Sequence, residues 1–372
     1  MNHRRLIITL VGINGLASAA IGFVLLQQSG LISSSVKVTE NSLLAQFVPD
    51  SPDISSRRSS QLQDSQRLQP ISTRQAISAI SSSQRNKIVF YEKTTGKVFE
   101  TMVDQLREQI VSDARLNGFL KTIWAPNTQE VVSEFSSGNR FRYFNYQTKQ
   151  VSLFPPGTQS VAFSPENTKV AYFRTEGDSG SLFLAQSDGS YASAILATRI
   201  TNMILNWIAP NAIALEITQA DPSLKELWTI TPEGALTRIL ETKNNMEIVW
   251  APSGEQFIFS AKDEEGQNKL YKKSRVTLEE QELPIFTKAS KCAWSKGETF
   301  VICAVSQESG SDRFVDIDIK TLTVTPLFSG GLNDPTLSVT EPFFAPGEHY
   351  LIFKNGLDNL LYSLELGGDF GR

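Results

Sequence analysis

One short motif recurs six times along this chain and limits its fold more than any other feature. It consists of an aromatic residue, a small residue and, in most copies, a proline, as in Trp250-Ala-Pro. The aromatic residues are Trp124, Phe163, Trp207, Trp250, Trp294 and Phe344, separated by 39, 44, 43, 44 and 50 positions. A polar turn and an apolar run follow each of them, and this pattern indicates a β-strand.

Each repeat continues with a second pair of strand-like runs, such as Glu226-Leu-Trp-Thr-Ile and Thr237-Arg-Ile-Leu. Four strands in roughly 40–50 residues are typical of one blade of a β-propeller. A single four-stranded blade cannot bury both of its faces, so several blades must pack in a ring. The repeat aromatic can fill the space between neighbouring sheets. We therefore expect the six aromatic residues to be structural and Trp250 to be largely buried.

The repeats predict an all-β fold with a single propeller of about six four-stranded blades. The last unit ends soon after Leu360–Leu366 and lacks a fourth strand. A hairpin formed by Lys87-Ile-Val-Phe-Tyr-Glu-Lys and Lys97-Val-Phe-Glu-Thr-Met precedes the first unit. We expect this hairpin to supply the missing outer strand. Seven blades is the alternative, in which the hairpin belongs to a separate, degenerate blade.

The repeat units resemble those of TolB-type and WD-repeat-like propellers, and those of the propellers in prolyl-oligopeptidase-like enzymes. The resemblance covers about residues 87–366 and rests on the six aromatic motifs. The Asp-Gly pair of the TolB pattern is replaced here, for example by Glu166-Asn167 and Lys296-Gly297. The resemblance implies a binding or scaffold role outside the cytoplasm, although propellers serve many unrelated functions.

The N-terminus has the pattern of a membrane anchor. Arg4 and Arg5 precede an uncharged run of 21 residues, Leu6–Leu26, and a helix of that length spans about 30 Å. Because basic residues prefer the cytoplasmic side, we expect the N-terminus inside and the rest of the chain outside. Ala17-Ser18-Ala19 leaves a cleaved signal peptide as the alternative, but this sequence lies within the apolar run.

The next segment differs sharply in composition. Sixteen of residues 27–86 are serine, so the segment buries too little apolar surface to offset its ordering entropy. The predicted organisation is therefore a cytoplasmic head and transmembrane signal-anchor (1–26), a Ser/Gln-rich disordered linker (27–86) and a β-propeller (87–372).

Charge and composition exclude several classes of function. Residues 1–86 carry eight basic and four acidic residues, and the remainder carries 27 basic and 35 acidic ones. An acidic domain repels a phosphate backbone, so we expect no nucleic-acid partner. With two histidines and two cysteines in the chain, we expect no metal site and no cofactor.

No catalytic constellation is visible. Gly177-Asp178-Ser179-Gly180-Ser181 has the look of a serine-protease nucleophile segment, but that chemistry needs a histidine base beside the serine. The histidines are His3, in the basic head, and His349, in a turn of the last unit. We therefore expect the segment to be a turn and the chain not to be an enzyme.

Four charged residues occupy equivalent positions, three residues before a repeat aromatic: Lys121, Glu247, Lys291 and Glu341. This position on an innermost strand lies near the mouth of a propeller's central channel. They are therefore candidates for binding a ligand or partner loop at the mouth. The more conservative interpretation is that they pair with one another across a wet channel.

Cys292 and Cys303 lie on consecutive strands around the Lys296-Gly297 turn. An exported location permits a disulfide between them. A slip of one residue in register would turn the side chains to opposite faces, so two free buried thiols are the favoured expectation.

Together these features predict a membrane-anchored, extracytoplasmic propeller that acts as a protein-interaction or scaffold module. An envelope protein is the expected partner, and residues 6–26 provide the contact with the membrane. Binding of a small molecule or glycan in the central channel is the alternative. A propeller hydrolase or lyase is the third class, disfavoured by the shortage of histidine.

Overall fold

The structure, a computed structural model, describes residues 67–82, 86–331 and 333–367. In this part of the chain, 28 strands form seven four-stranded antiparallel sheets. The first strands contact one another in five of the seven pairs of neighbouring sheets, which places these strands nearest the axis of the ring. The fold is therefore a seven-bladed β-propeller.

The described part of the chain starts with β1 (Leu68–Pro70). Blade 1 consists of β2 (Ala76–Ser81), β3 (Lys87–Glu92), β4 (Val98–Met102) and β5 (Gln109–Ser112). Blade 2 consists of β6 (Phe119–Trp124), β7 (Glu130–Phe135), β8 (Phe141–Asn145) and β9 (Val151–Leu153). Blade 3 consists of β10 (Thr158–Phe163), β11 (Lys169–Glu176), β12 (Ser179–Gln186) and β13 (Ser193–Thr198).

Blade 4 consists of β14 (Met203–Ala209), β15 (Ala212–Thr218), β16 (Leu224–Ile230) and β17 (Leu236–Asn244). Blade 5 consists of β18 (Glu247–Trp250), β19 (Gln256–Lys262), β20 (Asn268–Ser274) and β21 (Glu280–Phe286). A 3₁₀ turn (Ala289–Lys291) leads into blade 6, which consists of β22 (Cys292–Trp294), β23 (Phe300–Ser306), β24 (Asp312–Asp318) and β25 (Val324–Phe328). Blade 7 consists of β26 (Val339–Phe344), β27 (Tyr350–Asn355), β28 (Leu361–Glu365) and β1.

The blade count corrects the leading expectation of six blades in favour of its alternative. The hairpin of β3 and β4 does not close the last unit but belongs to blade 1, whose first strand is Ala76–Ser81. The ring is closed by β1, where Leu68 pairs with Leu364 and Pro70 with Tyr362. Both β1 and β2 lie within residues 27–86, so the propeller begins before the predicted boundary at residue 87.

The predicted anchor, residues 6–26, lies outside the described residues. Within residues 67–82, 86–331 and 333–367, no helix has the length and apolar character needed to cross a membrane.

The turns after the repeat aromatics explain why the Asp-Gly pair can be replaced. Five of these turns place a residue with positive φ four positions after the aromatic: Thr128, Asn167, Gly254, Glu298 and Glu348. A side chain at this position can reach the preceding blade. Glu298 accepts a hydrogen bond from the backbone N–H of Ser253 at 2.5 Å. Glu348 accepts one from Lys296 N–H at 2.5 Å. Both contacts connect consecutive blades. The glycine of an Asp-Gly pair could not make them, because it has no side chain.

Cys292 and Cys303 are directly opposite each other on β22 and β23 and form a disulfide. The Cα–Cα distance is 4.0 Å, and both residues are buried in the apolar interface between blades 5 and 6. The structure thus departs from the favoured expectation of two free thiols.

Six of the seven interfaces between neighbouring blades contain an apolar core cluster. These clusters lie between blades 2 and 3, 3 and 4, 4 and 5, 5 and 6, 6 and 7, and 7 and 1. Such burial is the main stabilising term in a ring of sheets. Within the described residues, the interface between blades 1 and 2 has no comparable cluster, and this difference distinguishes it from the rest of the ring.

Candidate functional site

The four predicted channel-mouth residues lie on, or just before, the first strands of their blades. Each forms an ion pair with a nearby residue: Lys121 with Glu134 at 3.4 Å, Glu247 with Lys288 at 3.0 Å, Lys291 with Asp312 at 2.7 Å, and Glu341 with Lys354 at 2.5 Å. Within the described part of the chain, no ion pair joins two of the four. Their charges are therefore neutralised locally, and the expected pairing across the channel is not observed.

The carboxylate of Glu247 is partly buried and accepts hydrogen bonds from Ser290 and Lys288. Burial raises its pKa, but hydrogen bonds from Ser290 and Lys288 outweigh that effect and hold the pKa below its usual value. Glu247 is therefore ionised near neutral pH and already engaged with Lys288 and Ser290, in the segment that connects blade 5 to blade 6.

The six repeat aromatics differ in how deeply they are buried. Phe163, Trp207 and Trp294 are buried, whereas Trp124, Trp250 and Phe344 are half-buried. The indole Nε1–H of Trp294 donates to the Val249 carbonyl of the preceding blade at 3.1 Å. Trp250 packs on Phe257, with 4.6 Å between ring centroids, and is less buried than expected.

A second indole hydrogen bond joins the inner halves of blades 1 and 2. Trp124 Nε1–H donates to the Ser78 carbonyl at 2.8 Å, and the Thr122 N–H donates to Ser78 Oγ at 2.9 Å. Ser78 has a φ of 53° at an irregularity in β2, and this conformation presents both of its oxygens to blade 2. The inner half of this interface is thus closed by these hydrogen bonds and by the ring of Tyr91, which stacks on Phe119 at 4.9 Å.

The outer half of the same interface is a cleft with a volume of about 270 Å³. Blade 1 and its following loop contribute Tyr91, Gly96, Val98, Ser112, Ala114 and Leu116. Blade 2 contributes Ser133, Phe135, Arg142, Tyr143, Phe144, Tyr146 and Val151. We call this the aromatic cleft. It replaces the apolar cluster that fills each of the other interfaces.

Two tyrosines connect the walls of the aromatic cleft. The hydroxyl groups of Tyr91 and Tyr146 form a hydrogen bond at 2.6 Å. The ring of Tyr146 stacks on Trp124 at 5.9 Å. Burial raises the pKa of both phenols, so both remain neutral at physiological pH. Burial, followed by the hydrogen bond to Glu130, raises the pKa of Tyr143 to about 12. The cleft is thus lined by uncharged rings held in fixed positions.

Exposed apolar residues border the outer end of the aromatic cleft on its blade 2 side. Val151 and Leu153 of β9 are 62% and 54% exposed. Because alternate residues of a strand share a face, Val151 and Leu153 both lie on the side of β9 that borders the cleft. Exposed apolar residues gathered around an apolar cavity are typical of an interaction surface.

The aromatic cleft was not predicted from the sequence. One sequence feature indicated it, a cluster of five aromatic residues within twelve positions: Phe135, Phe141, Tyr143, Phe144 and Tyr146. That density of aromatic residues is equally typical of a core strand. Only the packing shows that part of it faces an unfilled space.

Comparisons with known proteins identify the fold. No family profile and no curated protein matches the sequence. An oligogalacturonate lyase from Vibrio parahaemolyticus has a TM-score of 0.60 at 9% identity, over 82% of this chain and 94% of that one. The β-propeller domain of Cps50 (Swd1) from Myceliophteria thermophila has a TM-score of 0.55 at 9% identity, over 81% and 100%.

TolB from Acinetobacter baumannii also matches, at 13% identity over 77% of this chain and 78% of that one. Its TM-score of 0.40 is too low to add to the argument. Similarity at such low identity is informative about architecture and not about activity. The chain is thus an all-β, seven-bladed propeller, similar in fold to the oligogalacturonate lyase and to the propeller domain of Cps50 (Swd1).

Proposed function

We propose that this chain is a membrane-anchored interaction module that binds a partner protein of the cell envelope through its aromatic cleft. The observation that carries the proposal is the interface between blades 1 and 2. Its outer half is an apolar cavity with exposed apolar borders, whereas the other six interfaces are closed by core clusters. The role is binding rather than catalysis.

The size of the cleft supports a macromolecular partner. Pockets for drug-sized ligands usually measure roughly 300–1,000 Å³, and this cleft of about 270 Å³ is open at its outer end. It suits one or two side chains of a larger partner better than a whole small molecule. Capture of a small molecule or glycan at the channel mouth has less support, because the four candidate residues there are already paired.

An enzymatic role also has little support from the described residues. They contain no group of three or more His, Cys, Asp or Glu side chains placed to hold a metal ion. The similarity to a lyase shows a shared fold alone. We therefore assign no reaction to the propeller.

Two features support an exported location with an N-terminal anchor. The uncharged run Leu6–Leu26 after Arg4 and Arg5 has the length and flanking charge of a signal-anchor. In addition, the disulfide between Cys292 and Cys303 is characteristic of an oxidising compartment.

The partner can be captured at the cleft with a photo-crosslinking amino acid at position 151 of the full-length chain. Val151 lines the aromatic cleft and is 62% exposed. We expect irradiation of intact cells to join it to a discrete envelope protein. The matched control is position 276, where Val276 is 66% exposed on the turn between β20 and β21 of blade 5. The proposal fails if both positions capture the same proteins, or if position 151 captures none.

Topology is tested separately by protease protection. If the N-terminus lies inside, a protease added outside intact cells, or outside spheroplasts where an outer membrane is present, should cut within residues 27–66. The product should be a released propeller that retains its disulfide. Cleavage only after the cytoplasmic membrane is permeabilised would place the propeller inside and overturn this part of the proposal.

A further inference from the structure

Arg142 is the one charged residue among those that line the aromatic cleft. Its guanidinium stacks over Phe135, with Cζ 4.1 Å from the ring centroid, and its Nε–H donates to the Asn139 carbonyl at 3.3 Å. Within the described residues, it forms no ion pair. By contrast, Arg140, two residues earlier, is paired with Glu134 at 2.6 Å.

This arrangement leaves a positively charged group in a wall that is otherwise neutral and largely apolar. An arginine stacked on a ring is held in a fixed orientation, and its remaining N–H groups can bind a carboxylate at two points. The cleft is therefore complementary to an apolar or aromatic side chain with a carboxylate close beside it.

The outer strands around the cleft also differ from those elsewhere in the ring. The outermost strands of blades 5, 6 and 7 contain Pro284, Pro326 and Pro70, and that of blade 4 contains Arg238, Glu241 and Lys243. Proline and charge on an edge strand prevent another strand from pairing with it. The outermost strands of blades 1, 2 and 3 are Gln109–Ser112, Val151–Leu153 and Ser193–Thr198, and they contain neither.

We propose, on the basis of the function proposed above, that the partner presents an extended segment to this side of the ring. The segment enters at the open edges of β5 and β9. A large apolar or aromatic side chain of the segment fills the cleft, and an adjacent Asp or Glu pairs with Arg142. Extended segments commonly bind exposed sheet edges in this way, with backbone contacts adding affinity and pockets giving specificity.

Random linear peptides displayed on phage test this chemistry whatever the identity of the partner. The immobilised target is the full-length chain in detergent, as wild type, Arg142→Glu and Arg238→Glu. Arg238 is the matched control, because it is also an arginine over an aromatic ring, Trp228 at 5.9 Å, but on blade 4. We expect wild type and Arg238→Glu to select peptides with an aromatic or large aliphatic residue next to Asp or Glu. We expect Arg142→Glu to select against acidic residues.

The best peptide should then bind Arg142→Glu at least about 10-fold more weakly than wild type, as expected for loss of a hydrogen-bonded charge pair. Three outcomes would overturn the inference: that no peptide motif is enriched, that the enriched motif has no acidic residue, or that Arg142→Glu selects the same motif as wild type. Phe47 and Asp50 of the chain's own linker also combine an aromatic residue with an acidic one, so a fourth target carries Phe47→Ser and Asp50→Ser. Selection of peptides only on this fourth target would show that the linker occupies the cleft, which also overturns the inference. If capture at position 151 succeeds while the acidic motif is absent, the binding role stands and only this chemistry is wrong.

Discussion

Phe353→Ala is expected to lower the free energy of unfolding by about 3–5 kcal/mol, the usual cost of truncating a fully buried aromatic side chain. Phe353 is fully buried in the cluster between blades 6 and 7. Its ring lies 5.2 Å from Phe314 and 5.8 Å from Tyr362. The substitution therefore leaves a cavity between blade 6 and blade 7, the blade that closes the ring. Urea denaturation of wild type and variant, with the slope compared as well as the midpoint, measures the loss.

Trp250→Ala is the informative comparison for this prediction. Trp250 is half-buried, so its truncation should cost about 1–2 kcal/mol, within the ordinary range for single substitutions. A loss for Trp250→Ala equal to that for Phe353→Ala would mean that the repeat aromatic is as deeply packed as the sequence analysis expected.

Lys291→Ala should also lower the free energy of unfolding substantially. The interpretation of Lys291 as a channel-mouth residue did not predict this loss. Its Nζ lies 2.7 Å from Asp312 Oδ2, and the Asp312 side chain is only 2% exposed. Removing one partner of a buried ion pair leaves the other charge uncompensated, which costs about 3–5 kcal/mol. Because the Lys291 side chain is 18% exposed, we expect a loss of about 3 kcal/mol in the same denaturation experiment.

Lys121→Ala is the control. The Lys121 side chain is 59% exposed, and its partner Glu134, although only 8% exposed, keeps a closer ion pair with Arg140 at 2.6 Å. We therefore expect a loss of about 0–1 kcal/mol in the free energy of unfolding, as for an exposed pair. If Lys291→Ala and Lys121→Ala lowered the free energy of unfolding by equal, small amounts, the buried charge of Asp312 would not need Lys291 for its stabilisation. Its other hydrogen bonds, from Val339 N–H at 2.7 Å and Ser306 Oγ at 2.8 Å, would then be sufficient.

The leading count of six blades was wrong, and the alternative of seven correct, because the first blade lacks the motif that identifies the others. Its innermost strand, Ala76–Ser81, has no repeat aromatic and lies in a serine-rich segment. The closing strand Leu68–Pro70 has three residues, too few for a periodic pattern to be recognised. Both strands form because their partners, β3 and β28, are already held in the ring. Their pairing is a tertiary effect.

The disulfide depends on the register between β22 and β23, which the sequence separation of the two cysteines does not determine. Cys292 and Cys303 are 11 residues apart, and a register shifted by one residue would have placed them on opposite faces. The turn through Lys296 and Gly297 sets the register that makes them direct partners.

The sequence by itself determined the class of fold, because a four-strand period marked by an aromatic residue can bury its faces only by packing in a ring. It also determined the acidic character of residues 87–372. Tertiary structure decided three other features. They are the aromatic cleft, the local pairing of the four channel-mouth charges, and the absence of an ion pair at Arg142 among the described residues. Each depends on the distance between side chains of neighbouring strands or blades. A repeat in sequence specifies which residues are equivalent, but the packing between two particular blades depends on residues in which those blades differ.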